Sequence, residues 1–291
     1  MFEQLGLIGC GLMGGSFALA MKRAGLVRRV VGYSKSPSTT ERARQLGVID
    51  VEAPSALLAV SGADLVLLAV PVAATESTLK AIRHLINPDV LIMDVGSTKR
   101  DVVDAARRVL KKDVGVFVPC HPATGREVSG VENADADLYT GRQVVLTPIE
   151  RTRTVQLEQA EALWRGLGCP VVRMSPETHD AAFAAISHLP HLLAFALMNA
   201  ITSQEQGSQF LSLAGPGFRD FSRIAASDSE MWRDILIANR EELSAQLGHF
   251  QRELGVLQKV IDGGQSEDLQ RLIARASLTR ANWRLASGAS D

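Results

Sequence analysis

The sequence predicts an α/β domain built on a parallel sheet, followed by an all-α domain. Three observations carry this. A glycine loop follows the first apolar run, directly ahead of a helical pattern. Short β-branched or leucine-rich runs then alternate with helical stretches, as in a sheet covered on both faces. After "CPVVRMS" the rhythm changes, and only helical periodicities follow. The expected division is 1–174 for a dinucleotide-binding, Rossmann-like domain and 175–291 for a helical domain.

Composition excludes several classes. A chain of 291 residues with 46% apolar residues suits about two domains with real cores. The formal net charge of -1 argues against a general grip on nucleic acid, which needs a basic excess. Cys10, Cys120 and Cys169 are odd in number and far apart, which fits a reducing cytoplasm better than a disulfide framework. No uncharged apolar run of membrane-spanning length is read, so no membrane contact is expected. The start "MFEQLGLIGCG" lacks the basic region of a signal peptide.

The first-half strands are read at "LGLIG", "RVVGYS", "DLVLLAV", "VLIMDVG", "VGVFVP" and "QVVLTP". "SFALAMKRAG" and "ATESTLKAIRHL" are among the helices between them. Gly9, Gly11 and Gly14 have the spacing that lets a loop turn tightly, approach a pyrophosphate and pack a helix on a strand. Leu12 and Met13 belong to the same cofactor loop, and Val70 ends the "DLVLLAV" run and Pro71 follows it, at the same crevice. The second strand often ends in an acid that bonds the ribose. Here that place reads Ser34-Lys35-Ser36, which favours NADP over NAD, a solvated lysine with NAD bound being the alternative. Ser97 follows a buried strand, either as a hydroxyl near the nicotinamide or as the N-cap of the next helix. His121, between Pro119 and Pro122, follows another strand and suits a base near neutral pH, with a carbonyl-bonded histidine as the alternative.

In the second half, Ser175-Pro176-Glu177 starts a helix. Within it His188 and His191 share a face, and Pro190 between them is expected to kink the helix. Two readings stay open on the residues alone: imidazoles aimed into a cleft, or imidazoles bonding carbonyls that the proline frees. Ser227 and Glu230 have capping-box spacing ahead of one long helix. Leu243, Leu247, Phe250, Leu254, Leu257 and Ile261 form a seam along it, and Gly263-Gly264 ends it. A last helix is expected over about Asp268–Leu285, and "ASGASD" is expected to fray. No third ligand lies near His188 and His191, so no metal site is expected.

The stretches "GCGLMGGS", "DVGSTK", "HPATGREVSG", "SHLPH" and "GPGFRDFSRIAASDSEMWRDI" resemble the prephenate/arogenate dehydrogenases of tyrosine biosynthesis. The resemblance implies a Rossmann-like domain, an all-α C-terminal dimerisation domain forming a homodimer, and oxidative decarboxylation with hydride transfer to NADP or NAD. It implies His121 as the group taking the substrate hydroxyl proton and Ser97 as the group orienting that hydroxyl. It implies Arg223 as the carboxylate ligand, His191 in the substrate pocket and a more structural His188. Glu127, Asp220 and Trp232 are implied to support the pocket, and Gly217 to bind substrate. Asp180 precedes His191 by eleven residues, about 16 Å along a straight helix, too far to pair with it in one chain, so a role through the partner subunit is expected. Gly215-Pro216-Gly217 replaces the run of glycines frequent in the family, and Pro216 offers no N–H. Two other classes compete. A hydroxy-acid or imino-acid reductase is disfavoured because "FAAISHLPHLLAFALMNA" has no lysine. A non-catalytic nicotinamide sensor has no need of His121, His191 and Arg223 together.

Overall fold

The structure, a computed structural model, describes residues 1–284. The expected fraying of "ASGASD" lies outside them. The first half runs β1 (Phe2–Ile8), α1 (Leu12–Arg23), β2 (Val27–Tyr33), α2 (Pro37–Gln45), β3 (Val51–Glu52), α3 (Ala56–Ala59) and β4 (Leu65–Leu68). It continues through α4 (Thr75–Ile82), β5 (Leu91–Asp94), α5 (Arg100–Leu110), β6 (Phe117–Val118), β7 (Cys120–Pro122), β8 (Val144–Leu146), α6 (Thr154–Gly166) and β9 (Val171–Arg173).

Six strands form one parallel sheet in the order β3-β2-β1-β4-β5-β6. Its residues alternate between two cores, as a strand period of two requires. Leu5, Leu7, Leu65, Leu67, Leu91 and Met93 pack with Phe17 and Trp164. Val66, Leu68 and Ile92 pack with Leu79, Val102 and Val109 on the other face. The strand order reverses between β1 and β4, the place where such sheets open a ligand crevice at their carboxyl ends.

Two points depart from the sequence expectation. Val51–Glu52 is a sheet-edge strand too short to leave a pattern. The "QVVLTP" strand does not join the main sheet. It pairs antiparallel with β7 and parallel with β9 in a separate three-stranded sheet. Pro119, which has no N–H to donate, separates β6 from β7 at the step between the sheets.

The second half is helical: α7 (Pro176–Phe183), a π-helical turn over Ala184–His188, α8 (Leu189–Thr202), α9 (Gly207–Ser212), α10 (Pro216–Ser222), α11 (Ser229–Ala238), α12 (Arg240–Asp262) and α13 (Ser266–Asn282). Ser175 caps α7 by accepting from Thr178 N at 3.1 Å. The expected kink at Pro190 takes the form of the π turn, which widens the helix just ahead of the residue that lacks an N–H. Pro176–Thr202 is the one described stretch long and apolar enough to cross a membrane by length and composition, yet His179, Asp180 and His188 point from it into protein interior. The single long helix is in fact two, divided at Asn239, which is buried with φ −104 and ψ 27. The cap of α11 is Asp228, accepting from Met231 N at 2.8 Å, while Ser227 donates its hydroxyl to Ile224 O. The last helix ends at Asn282.

Candidate active site

The glycine loop has the conformation its spacing predicts. Gly9 has φ +96, and a Cβ there would lie 2.1 Å from Ala69 O. A Cβ on Gly14 would lie 2.0 Å from Gly9 O, so helix α1 approaches its strand as only glycine allows. A Cβ on Gly11 would meet nothing within 4 Å. Space is therefore open over Gly11 at the N-terminus of α1, where backbone N–H groups and the helix dipole favour an anion. Leu12 and Met13 begin that helix, and Tyr139 holds it by donating its hydroxyl to Met13 O at 2.7 Å. Val70 and Pro71 continue the Ala69 segment that bounds the loop. These features fit a dinucleotide. Ser34 Oγ accepts from Cys10 N at 2.8 Å, so this side chain fastens the loop to the end of β2. Lys35 and Ser36 are exposed beside it.

At the carboxyl end of β5, Asp94 and Lys99 form a fully buried ion pair. Asp94 also accepts from Gly96 N at 2.8 Å and Cys120 N at 3.0 Å, tying β5 to β7. Such a pair, with its remaining lone pairs satisfied, holds backbone in place. The N-terminus of α5 is capped from outside the segment. Asp180 Oδ1 accepts from Lys99 N at 2.8 Å, and Oδ2 accepts from Arg100 N at 2.9 Å. Ser97 is not the cap; it sits half-buried on the loop between β5 and α5.

His121 is buried on β7. Its Nδ1 lies 2.7 Å from His179 Nε2, and His179 Nδ1 lies 2.7 Å from Asp180 Oδ1. The Phe183 ring packs against both imidazoles at centroid distances of 4.4 Å. Burial, then the neighbouring His179 and Lys99, pull His121 well below the ordinary histidine value. Burial also lowers His179, with Asp180 opposing. Burial pushes Asp180 upward, but hydrogen bonds from His179, Arg100 N and Lys99 N outweigh it and leave a net lowering. This corrects the expectation for Asp180. It is buried within its own subunit, where it joins α7 to α5, and is not presented to a partner.

His191 stacks on Trp232 at 3.5 Å between centroids and 21° between planes. Its Nδ1 donates to Ser187 O at 2.9 Å, since a carbonyl only accepts; neutral His191 therefore keeps Nε2 as an acceptor. The carbonyl bonded is that of Ser187, not of Ile186 four residues before Pro190, so His191 does not repair the proline's lost bond. His188 is buried behind it, with Nδ1 3.1 Å from Asn239 Nδ2, and burial lowers it to about 4. Asn239 Nδ2 also donates to Asp180 O at 2.8 Å, so the break between α11 and α12 is bonded to the Asp180 segment. Arg223 reaches across from the helical half to pair with Glu127. Asp220 pairs with Arg219 at 3.2 Å, both exposed. Gly217 is exposed in the first turn of α10, with Pro216 at its start, where a helix has no use for the missing N–H.

Sequence comparison follows the same division. The model of the "Prephenate dehydrogenase, nucleotide-binding domain" matches residues 17–173, and that of the "Prephenate dehydrogenase, dimerization domain" matches 175–275. The chain belongs to the prephenate dehydrogenase family. Among its relatives, the prephenate dehydrogenase of Bacillus subtilis is 37% identical, over 95% of this chain and 75% of that one. The cyclohexadienyl dehydrogenase of Zymomonas mobilis is 34% identical over 89% of each. The crystal structure of prephenate dehydrogenase from A. aeolicus in complex with hydroxyphenyl propionate and NAD+ superposes with a TM-score of 0.90. It is 34% identical, with 97% of this chain and 98% of that one covered. In this prephenate dehydrogenase family member, sequence reasoning missed His179, Phe183, Asn239 and the Asp94–Lys99 pair. One signal was present: three of the six histidines, His179, His188 and His191, fall within a single apolar helix.

Proposed function

We infer that this chain is an NAD(P)-dependent oxidoreductase that oxidatively decarboxylates prephenate, arogenate or both, in tyrosine biosynthesis. Its family membership supports the reaction, and so do relatives named for prephenate, cyclohexadienyl and arogenate dehydrogenases. The observation that carries the residue assignment is His121, buried on β7 with its value lowered by burial, on the strand that Asp94 ties to the carboxyl end of β5.

The nicotinamide, when bound, supplies the hydride acceptor. Gly9, Gly11 and Gly14 would hold its pyrophosphate through the backbone, with Val70 and Pro71 across the crevice. Ser97 orients the substrate hydroxyl, and His121 takes its proton as the ring carbon loses hydride. The carbon–carbon bond to the ring carboxylate then breaks, carbon dioxide leaves, and its electron pair enters the aromatic ring. The proton returns from His121 to the oxygen, so none is consumed or released overall. Arg223 binds a substrate carboxylate through its forked donors, an exchange in which that anion replaces Glu127. His191, stacked on Trp232, would give the substrate pocket a flat wall, and the family resemblance adds Asp220 and Gly217 to its residues.

NADP is the proposed preference over NAD, because no acid stands at Ser34 and Lys35 is exposed beside it. A homodimer through the helical half is proposed from the α12 seam, along which Leu254 and Ile261 are exposed in the single chain. The three buried, unpaired cysteines suit a reducing cytoplasm. The test is to supply prephenate and arogenate separately, each with NAD and NADP, and follow absorbance of the reduced cofactor. Formation of reduced cofactor with evolution of carbon dioxide is expected. Turnover of neither substrate with either cofactor would remove the reading.

A further inference from the structure

We propose that His179 is the positioning residue of the catalytic base: through it the Asp180 carboxylate fixes the proton of His121 on Nδ1 and leaves Nε2 bare. The proposal rests on the reading of His121 as the base and names what makes it one.

The argument follows protons along three contacts. Asp180 accepts from two backbone N–H groups, Lys99 N and Arg100 N, which hold its carboxylate ionised at the N-terminus of α5. An ionised carboxylate only accepts, so His179 Nδ1, 2.7 Å from Oδ1, carries a hydrogen. Burial keeps His179 neutral near pH 7, so its other nitrogen, Nε2, has a lone pair. His121 Nδ1 lies 2.7 Å from that lone pair and must donate to it. Neutral His121 then has its hydrogen on Nδ1, and Nε2 is the nitrogen that receives a proton. Phe183, packed against both rings, keeps the two imidazoles from rotating out of this chain of bonds. A doubly protonated His179 would reverse the pattern, because its Nε2–H would donate to His121 Nδ1 and force the hydrogen onto Nε2. The device therefore depends on a neutral His179, held among Asp94, Lys99, Asp180, His121 and His188.

The same chain steadies the charged state. When His121 accepts the substrate proton at Nε2, its Nδ1–H still donates to His179, and the negative charge of Asp180 lies one ring further. No proton needs to move along the chain. His179 orients the base and touches neither substrate nor cofactor.

The test has one arm independent of turnover. Long-range proton–nitrogen NMR of the uniformly labelled full chain at neutral pH reads which ring nitrogen of His121 bears hydrogen, with His121→Asn identifying the signals. A protonated Nδ1 and a bare Nε2 are expected; the opposite tautomer overturns the proposal whether or not the substrate assignment is right. The kinetic arm compares His179→Phe with His179→Gln, whose side-chain oxygen reaches the position of Nε2 and still accepts from His121. His179→Phe should lower kcat by about 10- to 100-fold with KM within about twofold, as loss of base orientation does. His179→Gln should recover most of that loss. A folded His179→Phe enzyme with unchanged kcat, or two variants that fall equally, overturns the proposal. If His179→Phe does not fold, the tautomer measured in the unaltered protein decides.

Discussion

At His121 two environments act on one ring. Burial removes water and favours the neutral imidazole, while the bond to His179 orients it. His121→Asn keeps a small polar side chain but supplies no proton acceptor of comparable basicity. Its kcat should drop about 10²–10⁴-fold while the Kd for substrate, read by quenching of Trp232 fluorescence, changes far less. Near-normal turnover at neutral pH would exclude His121 from the chemistry. Ser34 poses a different residue-scale problem, because its hydroxyl is already used to fasten Cys10 N. A carboxylate there can accept the same N–H and also bond the ribose hydroxyls of NAD, while repelling a 2′-phosphate. The NADP preference in kcat/KM should be about ten- to thirtyfold, the size of one partly exposed charged contact. Ser34→Asp should reverse it. A variant that still prefers NADP would show that the β2–α2 loop does not select the cofactor.

Helix ends position most of the site. The N-terminus of α1 faces the open space over Gly11, and that of α5 is bonded to Asp180. Helix α11 starts at Asp228 and stops at Asn239, so Trp232 and Asn239 are held between two defined ends. Because the cap is Asp228, Asp228→Ala should cost about 1 kcal/mol in urea unfolding. Ser227→Ala should cost less, since its hydroxyl bonds a carbonyl behind the helix. The reverse order would restore Ser227 as the cap. The division at Asn239 follows from its bonds to Asp180 O and His188, which a side chain in a continuous helix would have to make from a different direction.

For the molecule as a whole, the buried histidines set its response to acid. His121, His179, His188 and His191 all have values lowered by burial in the folded state, His188 to about 4. In the unfolded chain each binds a proton near about 6.5. Below that pH the unfolded state binds more protons than the folded one, so stability falls with pH. The stabilisation from neutral rings is full above about pH 6.5 and is lost progressively towards about pH 4. Tm should already decline between about pH 6.5 and about pH 5, above the range in which ordinary carboxylates protonate. A flat Tm there would show the rings to be solvated. The second whole-molecule expectation is a dimer. Leu254, Ile261, Ile273 and Leu278 are exposed on α12 and α13. Together with the match of this half to a dimerization-domain model, these positions support association. Sedimentation at micromolar concentration should give twice the chain mass, and a monomer would sink the proposal.

By itself, the sequence determined the order of the main elements, the glycine loop and the start of the helical half. These depend on local rules. Gly9 is favoured by its own positive φ and Gly14 by the carbonyl of Gly9 five residues earlier, and Ser175-Pro176 forms a cap from contiguous residues. It also singled out His121, a polar residue next to a strand end, and the His188–His191 pair in an apolar helix, while the pocket role of His191 and the carboxylate role of Arg223 came from the family resemblance. Only the tertiary structure decided what those residues meet. His121 and His179 are 58 positions apart, Lys99 and Asp180 81, and Arg223 and Glu127 96. No periodicity encodes such pairs, since loop paths and helix packing bring them together. The same reason moved the "QVVLTP" strand into a second sheet and transferred the α5 cap from its own segment to Asp180. A hydrogen-bond donor takes the acceptor that packing delivers, not the one nearest in sequence.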